Sequence, residues 1–280
     1  MAYVTAIVAW CLANGRPNPR DDPITRIPDQ RYFRVCRGLK REMGAPAPKR
    51  YPVALYHIDK LCTSAKSVLP LKQCANITAA VLIAFAGLLR ASEFTHSGIL
   101  RPSHHALRGD IVFFPNASNP TAVQFTIKVS KTDQFRESVT ITVQRSDNPN
   151  RCPVRALQHL FEVDPQPPTA PLFNFARDSE PRNSSRQRFA ELCNKLFAYA
   201  GISSMYLKTH SFRQGGATAL LAAGAPTWII KVIGRWRSDC WMAYTFTDAD
   251  TVAYWSNRMT AAEATTVDYD VSPPVRVMDY

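Results

Sequence analysis

Apolar residues recur with the 3.6-residue period of helices up to about residue 88 and again from 153. Between those stretches they alternate with polar residues in strand fashion. Residues 3–13 read as one helix, ended by Asn14-Gly15 and the proline-rich NGRPNPRDDP. A second helix is expected over 29–43, with Tyr32, Phe33, Cys36 and Leu39 on one face and arginines and lysines on the other. MGAPAPKRYP then packs prolines, a glycine and a Lys-Arg pair into a short span, the composition of an extended linker at 44–52. Beyond it, 53–63 and 71–88 are predicted helical. The second of these is apolar on nearly every side and is therefore expected at the centre of the core. Strands are predicted at 110–114, 122–129 (AVQFTIKV) and 137–143 (ESVTITV). Helices resume at 153–161, 185–199, 211–223, 227–232, 238–244 and 249–259. The tail, 261–280, holds a Pro-Pro pair and acids and reads as extended or disordered. The expected fold class is mainly α with a small three-stranded antiparallel β-sheet (α+β). It divides into a helical segment 1–43, a linker 44–52, a main domain 53–260 and the tail.

Composition narrows the partners. The chain of 280 residues carries a net charge of +12. Residues 259–280 alone contribute −3, so the remainder carries +15. A body that basic suits a polyanion, because lysines and arginines that neutralise phosphates release counterions, although surface charge for solubility produces the same sign. The seven cysteines (11, 36, 62, 74, 152, 193 and 240) are odd in number and widely spaced, with no CxxC and no Cys/His ligand spacing. A reducing compartment, no disulfide framework and no metal site are expected. The longest apolar run, 77–89, is short of the roughly 20 residues a membrane helix needs. The N-terminal MAYVTAIVAWCLANG lacks the basic start of a signal peptide and is read as a helix of the folded protein.

Five residues in particular local settings suggest phosphodiester chemistry, which needs cations around phosphorus, a proton shuttle and a nucleophile. Arg90 closes the apolar helix in GLLRASEF; with Glu93 three residues on, it is either a C-terminal cap or a guanidinium oriented by that carboxylate to fork onto phosphate. Lys131 follows a strand in KVSKTDQFRESV, where a turn would present its ammonium as a general acid; Lys128 in the strand competes for the role. In THSFRQGGAT, His210 stands beside a helix N-terminus and Arg213 shares its face one turn on. Gly215 and Gly216 would admit another backbone, or a DNA strand, at close range. Tyr244, one of ten tyrosines, ends GRWRSDCWMAY. It is a core aromatic or a nucleophile whose phenolate is stabilised by Arg235, Arg213 and Arg90, with Tyr254 as the alternative.

Taken together, these residues resemble the tyrosine recombinases, the phage-integrase-like site-specific recombinases. The HSFRQGGAT and GRWRSD wording is most similar to the recombinases of eukaryotic mobile elements of the DIRS, Ngaro and Crypton types. The resemblance covers about 53–254, and 3–43 looks like part of the helical core-binding domain. It implies the recombinase catalytic fold preceded by a partial core-binding segment. The catalytic residues would be Arg90, Lys131, His210, Arg213 and Tyr244, the last attacking phosphorus to give a 3′-phosphotyrosine and a free 5′-hydroxyl. No cofactor and no metal would be required. The implied partner is double-stranded DNA, with a tetramer on DNA, a monomer without it, no membrane and a nuclear address. Nine residues before the tyrosine, where many members carry His or Trp, stands Arg235 with Trp236 beside it; either residue is a candidate phosphate ligand. Two alternatives are a type IB topoisomerase-like enzyme and a domesticated, non-catalytic DNA-binding protein.

Overall fold

In a computed structural model the chain divides into two units, residues 1–49 and 50–280. The structure describes residues 2–43, 51–129, 138–205, 207–236 and 238–245.

The first unit holds α1 (Ala2–Ala13) and α2 (Gln30–Met43). Asp29 opens α2: its carboxylate accepts a hydrogen bond from the Arg31 backbone N at 2.8 Å and from that residue's guanidinium. The face predicted on α2 is present as a helix face but is not covered. Phe33, Cys36 and Leu39 are exposed and only Tyr32 is half-buried, while Ile7, Trp10 and Leu12 of α1 are exposed as well. Two helices of this length have too little surface to close a core.

The second unit is built around α4 (Leu71–Ala86), preceded by α3 (Leu55–Val68). Ile77, Ala79, Ala80, Val81, Leu82, Ile83 and Ala84 of α4 are all buried, which is why this segment shows no polar face in sequence. After the one-turn α5 (Ala91–Phe94) comes an antiparallel sheet in the order β1-β2-β3: β1 (Ile111–Phe114), β2 (Ala122–Ile127) and β3 (Val139–Gln144). Phe125 pairs with Ile111 on one side and Ile141 on the other. Alternation puts Val123, Phe125 and Ile127 into the core and leaves Gln124 outside. Four helices complete the unit: α6 (Pro153–Val163), α7 (Arg186–Tyr199), α8 (Ser211–Ala222) and α9 (Thr227–Gly234). Phe94, Phe173, Phe175, Phe189 and Phe212 form a run of ring contacts at 5.2–6.1 Å that ties α5, α7 and α8 to the core. The fold is mainly helical with one small antiparallel sheet, as the periodicity predicts.

Several elements depart from the sequence reading: α3 runs to Val68 rather than 63, β2 ends at Ile127 rather than 129, and two further differences bear on the site. Residues Asp239–Tyr244 form a 3-10 helix rather than an α-helix. Three residues per turn put Trp241 and Tyr244 on one side, and both pack into the same apolar cluster. Helix α4 stops at Ala86 instead of 88, because Leu88 turns into the left-handed region with φ +47°. The predicted helix 249–259 lies outside the described residues.

The paired glycines of α8 settle how close two helices come. A methyl on Gly215 would land on the Val53 carbonyl oxygen, and one on Gly216 on the Phe85 carbonyl oxygen. The backbone that needs the space is the protein's own. This contact, with Val53 N donating to Ser211 O at 2.9 Å, brings the start of α8 against the end of α4.

Candidate phosphodiester site

Two helix ends and one helix start meet here. Helix α4 closes with Leu89 N donating to Ala84 O (2.9 Å) and Leu88 N to Phe85 O (3.3 Å). Helix α9 closes the same way, with Trp236 N on Lys231 O (2.9 Å) and Arg235 N on Val232 O (3.1 Å). This is the Schellman pattern, whose left-handed position usually takes glycine. Here it holds Leu88 (φ +47°) and Arg235 (φ +58°), and a non-glycine residue in that well costs about 1–2 kcal/mol. The turns aim helix-end carbonyls at the site, where arginines take them. Arg213 on α8 donates from Nη1 to Leu88 O and from Nη2 to Gly234 O. Arg235 donates from Nη1 to Gly87 O (3.0 Å) and from Nη2 to Leu88 O (3.3 Å).

Arg90 is not at the end of α4 as expected; it is the N-cap residue of α5, one turn before Glu93. The Glu93 carboxylate is fully buried and serves both flanking arginines. Its Oε2 accepts from Arg90 N (2.9 Å) and Arg235 Nη2 (2.8 Å), and its Oε1 accepts from Arg90 Nη1 (3.0 Å). The orienting role read for Glu93 thus has a geometric basis, and it extends to Arg235. The Arg90 side chain keeps 13% exposure, whereas Arg213 has none.

Aromatic rings cover Arg213. Its guanidinium carbon lies 4.4 Å from the Trp236 ring centre and 5.7 Å from that of Tyr244. Tyr244, partly buried, sits 5.0 Å from Trp236 and 5.0 Å from His210, the latter edge-on at 65°. His210 is the N-cap residue of α8. Trp236 packs with Leu88, Ala217, Ile230 and Trp241, and Ile233 lies against this cluster. Its ring folds over Gly234, where a methyl would collide with it.

The electrostatics are lopsided. Among the described residues three guanidiniums gather about one carboxylate, Glu93, which pairs with Arg90 and Arg235, leaving an excess of two positive charges. Burial, with Arg90 and Arg235 adding repulsion, pushes Arg213 down to about 9, still charged at neutral pH. Burial likewise lowers Arg235, with Glu93 opposing. Four buried N–H groups, Nε of Arg213 and Arg235 and Nε1 of Trp236 and Trp241, have no hydrogen-bond acceptor among the described residues. Chemically this is a donor-rich, net cationic site that suits an anion carrying several oxygens.

The structure therefore brings together Arg90, Glu93, His210, Arg213, Arg235, Trp236 and Tyr244. Lys131 and Tyr254 lie outside the described residues. The competing Lys128 is held by Asp110 at 2.6 Å and also donates to His105 O at 3.3 Å. Sequence reasoning missed the Gly87, Leu88 and Gly234 carbonyls and Trp241. The only signal was the Gly-Leu-Leu-Arg and Gly-Arg-Trp wording at two helix ends. Among the described residues no group of three or more His, Cys, Asp or Glu could hold a metal ion, and no helix is long and apolar enough to cross a membrane.

Neither a protein-family model nor a curated protein sequence matches the chain. Solved structures do. A XerH site-specific recombinase bound to palindromic difH substrate, in a post-cleavage complex, superimposes with a TM-score of 0.52 at 13% identity, covering 76% of this chain and 55% of that one. The fold is that of the tyrosine recombinase catalytic domain. XerA recombinase gives a TM-score of 0.49 at 15% identity over 93% of this chain and 74% of that chain. A lambda integrase(75–356) dimer bound to a COC′ core site gives 0.46 at 13% over 88% and 79%. At these identities the likeness is one of fold, and the chain spans only about half of the XerH chain it matches. Within the tyrosine recombinase fold, the cationic cluster occupies the junction of α4, α5, α8 and α9.

Proposed function

We propose that this protein is a site-specific DNA recombinase or integrase that cuts and rejoins strands through a 3′-phosphotyrosine. The observation that carries the reading is the net cationic cluster of Arg90, Arg213 and Arg235 on the single carboxylate of Glu93, with His210 and Tyr244 in ring contact beside it. A phosphodiester would meet the partly exposed Arg90 before the buried Arg213, which it would reach once the Tyr244 ring swings out. The Tyr244 Oη then attacks phosphorus while the bond to the 5′ oxygen breaks. The phenolic proton passes toward His210, and Lys131 returns a proton to the departing 5′ oxygen. The phosphotyrosine keeps the energy of the broken bond, so the reverse attack by a 5′-hydroxyl rejoins DNA without a cofactor.

The finer parts of the proposal rest on the sequence resemblance. They are a role in integration or excision of a mobile element of the DIRS, Ngaro or Crypton kind, a nuclear address, a partial core-binding domain over 1–43, a monomer free in solution and a tetramer on DNA. The test is direct. The protein is incubated with a random-sequence pool of nicked duplexes and resolved on a denaturing gel. A covalent protein–DNA band that disappears in Tyr244→Phe supports the reading; no band from wild type at any protein concentration refutes it.

A further inference from the structure

We propose that Arg235 is a positioning residue of this site, acting through the Leu88 carbonyl and Glu93 rather than on the phosphate; the inference rests on the recombinase reading above. Five helices of this chain, α1, α4, α7, α8 and α9, end in the same pair of closing hydrogen bonds. In three of them the left-handed residue is glycine: Gly15 after α1, Gly201 after α7 and Gly224 after α8, with φ of +65°, +71° and +76°. The two helices that end at the cationic cluster use Leu88 and Arg235 instead. Glycine is the low-energy choice at such a position. A side chain kept there has to do something glycine cannot.

Leu88 has an apolar reason. It is 1% exposed and packs against Ala217, Ile230, Trp236 and Trp241. Arg235 has none, because its side chain leaves its own helix end and reaches the end of α4. Nη1 donates to Gly87 O, and Nη2 donates to Leu88 O and Glu93 Oε2. Both terminal nitrogens are thus committed to protein acceptors, Nη1 also lying 3.5 Å from Ile233 O. Only the buried Nε lacks an acceptor among the described residues, so a two-point fork onto phosphate would release one of the terminal nitrogens from its partners. Two of those acceptors also serve another arginine. The Leu88 carbonyl accepts from Arg213, and the Glu93 carboxylate accepts from Arg90. Arg235 therefore holds the acceptor side of both remaining guanidiniums. By drawing on the charge of Glu93, it also leaves Arg90 less neutralised toward an incoming phosphate.

Arg235→Gly separates this role from a structural one, because glycine takes the left-handed well at no steric cost while the guanidinium is removed. The substrate is the nicked duplex that wild-type protein retains from a random-sequence pool. The expected result is a melting temperature equal to or above wild type and DNA affinity close to wild type. Adduct formation at saturating DNA should be slower on the order of 100-fold, the effect of misplacing groups by about an ångström. Arg235→Lys should stay slow, since a single ammonium cannot reproduce the planar set of donors that reaches the Gly87 and Leu88 carbonyls and Glu93 together. A scissile methylphosphonate, which lacks one phosphate charge, should restore Arg90→Ala, whose lost group neutralises that charge, and should not restore Arg235→Gly. Rescue of Arg235→Gly by the methylphosphonate would assign Arg235 to the phosphate and overturn the proposal. So would a wild-type rate in Arg235→Gly. If wild type forms no adduct at all, the recombinase reading itself fails and the positioning role falls with it.

Discussion

Among the described residues two arginines are almost wholly buried, Arg108 and Arg213, and their surroundings look alike at first. Each lies over an aromatic ring, Arg108 at 4.8 Å from Phe161 and Arg213 at 4.4 Å from Trp236. Burial lowers both, Arg108 to about 10 and Arg213 to about 9. They differ in what surrounds the charge. Arg108 has a buried carboxylate, Asp164, at 3.0 Å, shared with the more exposed Arg182 at 3.8 Å, and that acid also accepts from Asn76 and Gln166. Arg213 has helix-end carbonyls and two competing guanidiniums, with the one carboxylate near it among the described residues already divided between them. The backbone differs too, since two of the left-handed non-glycine residues in the described chain, Leu88 and Arg235, flank Arg213. Burial of an arginine is thus not itself a mark of a site. Charge imbalance and left-handed helix ends set the surroundings of Arg213 apart; unpaired donors do not, since Nε and Nη1 of Arg108 also lack an acceptor among the described residues.

The largest expected effect belongs to the second cluster alone. Tyr244→Phe should abolish covalent adducts on denaturing gels while leaving duplex affinity nearly unchanged, since in the proposed reaction the hydroxyl is the nucleophile and adds little to binding. Adducts persisting in this variant would move the nucleophile elsewhere, with Tyr254 the next candidate. Arg213→Lys should slow adduct formation on the order of 100- to 1000-fold, the loss expected for one oriented donor to a developing charge. Arg108→Lys, by contrast, should lower the melting temperature with the rate per folded molecule unchanged. Equal rate losses at the two positions would erase the distinction drawn between them.

The carboxylates sharpen it further. Asp164→Asn should cost about 3–5 kcal/mol in urea unfolding, the penalty of stranding a buried partner, and inorganic sulfate should not recover it. Glu93→Gln should also destabilise, because Arg90 and Arg235 lose their shared acid, yet sulfate should restore part of that loss. A smaller effect is expected in wild type. Sulfate at ten times its Kd should raise stability by about 1.4 kcal/mol, and Arg90→Ala should remove most of that gain. A sulfate response that is identical in wild type and Arg90→Ala would show that the anion binds elsewhere.

The sequence by itself determined the elements and their class. The all-round apolar run of α4 could only be a central helix, and the alternation of β2 could only be a half-buried strand, because the period of burial is local information. It also determined which residue types gather, since Arg90, His210, Arg213 and Tyr244 stand out by local wording. What it did not carry was anything that depends on where a backbone turns in space. The stop of α4 at Ala86, and the N-cap place of Arg90 that follows from it, depend on Leu88 adopting a conformation that sequence statistics assign to glycine. The exposed face of α2 was legible as a face, but not whether anything covers it. The paired glycines announced a close approach without saying to what, and tertiary packing made it the carbonyls of Val53 and Phe85. The charge balance of the site was decided only by the tertiary structure. Glu93 and Arg235 are 142 residues apart, and their 2.8 Å contact exists because two helix ends, α4 and α9, are docked on the same helix start. Local pattern fixes periodicity; long-range packing fixes which charges share an acid.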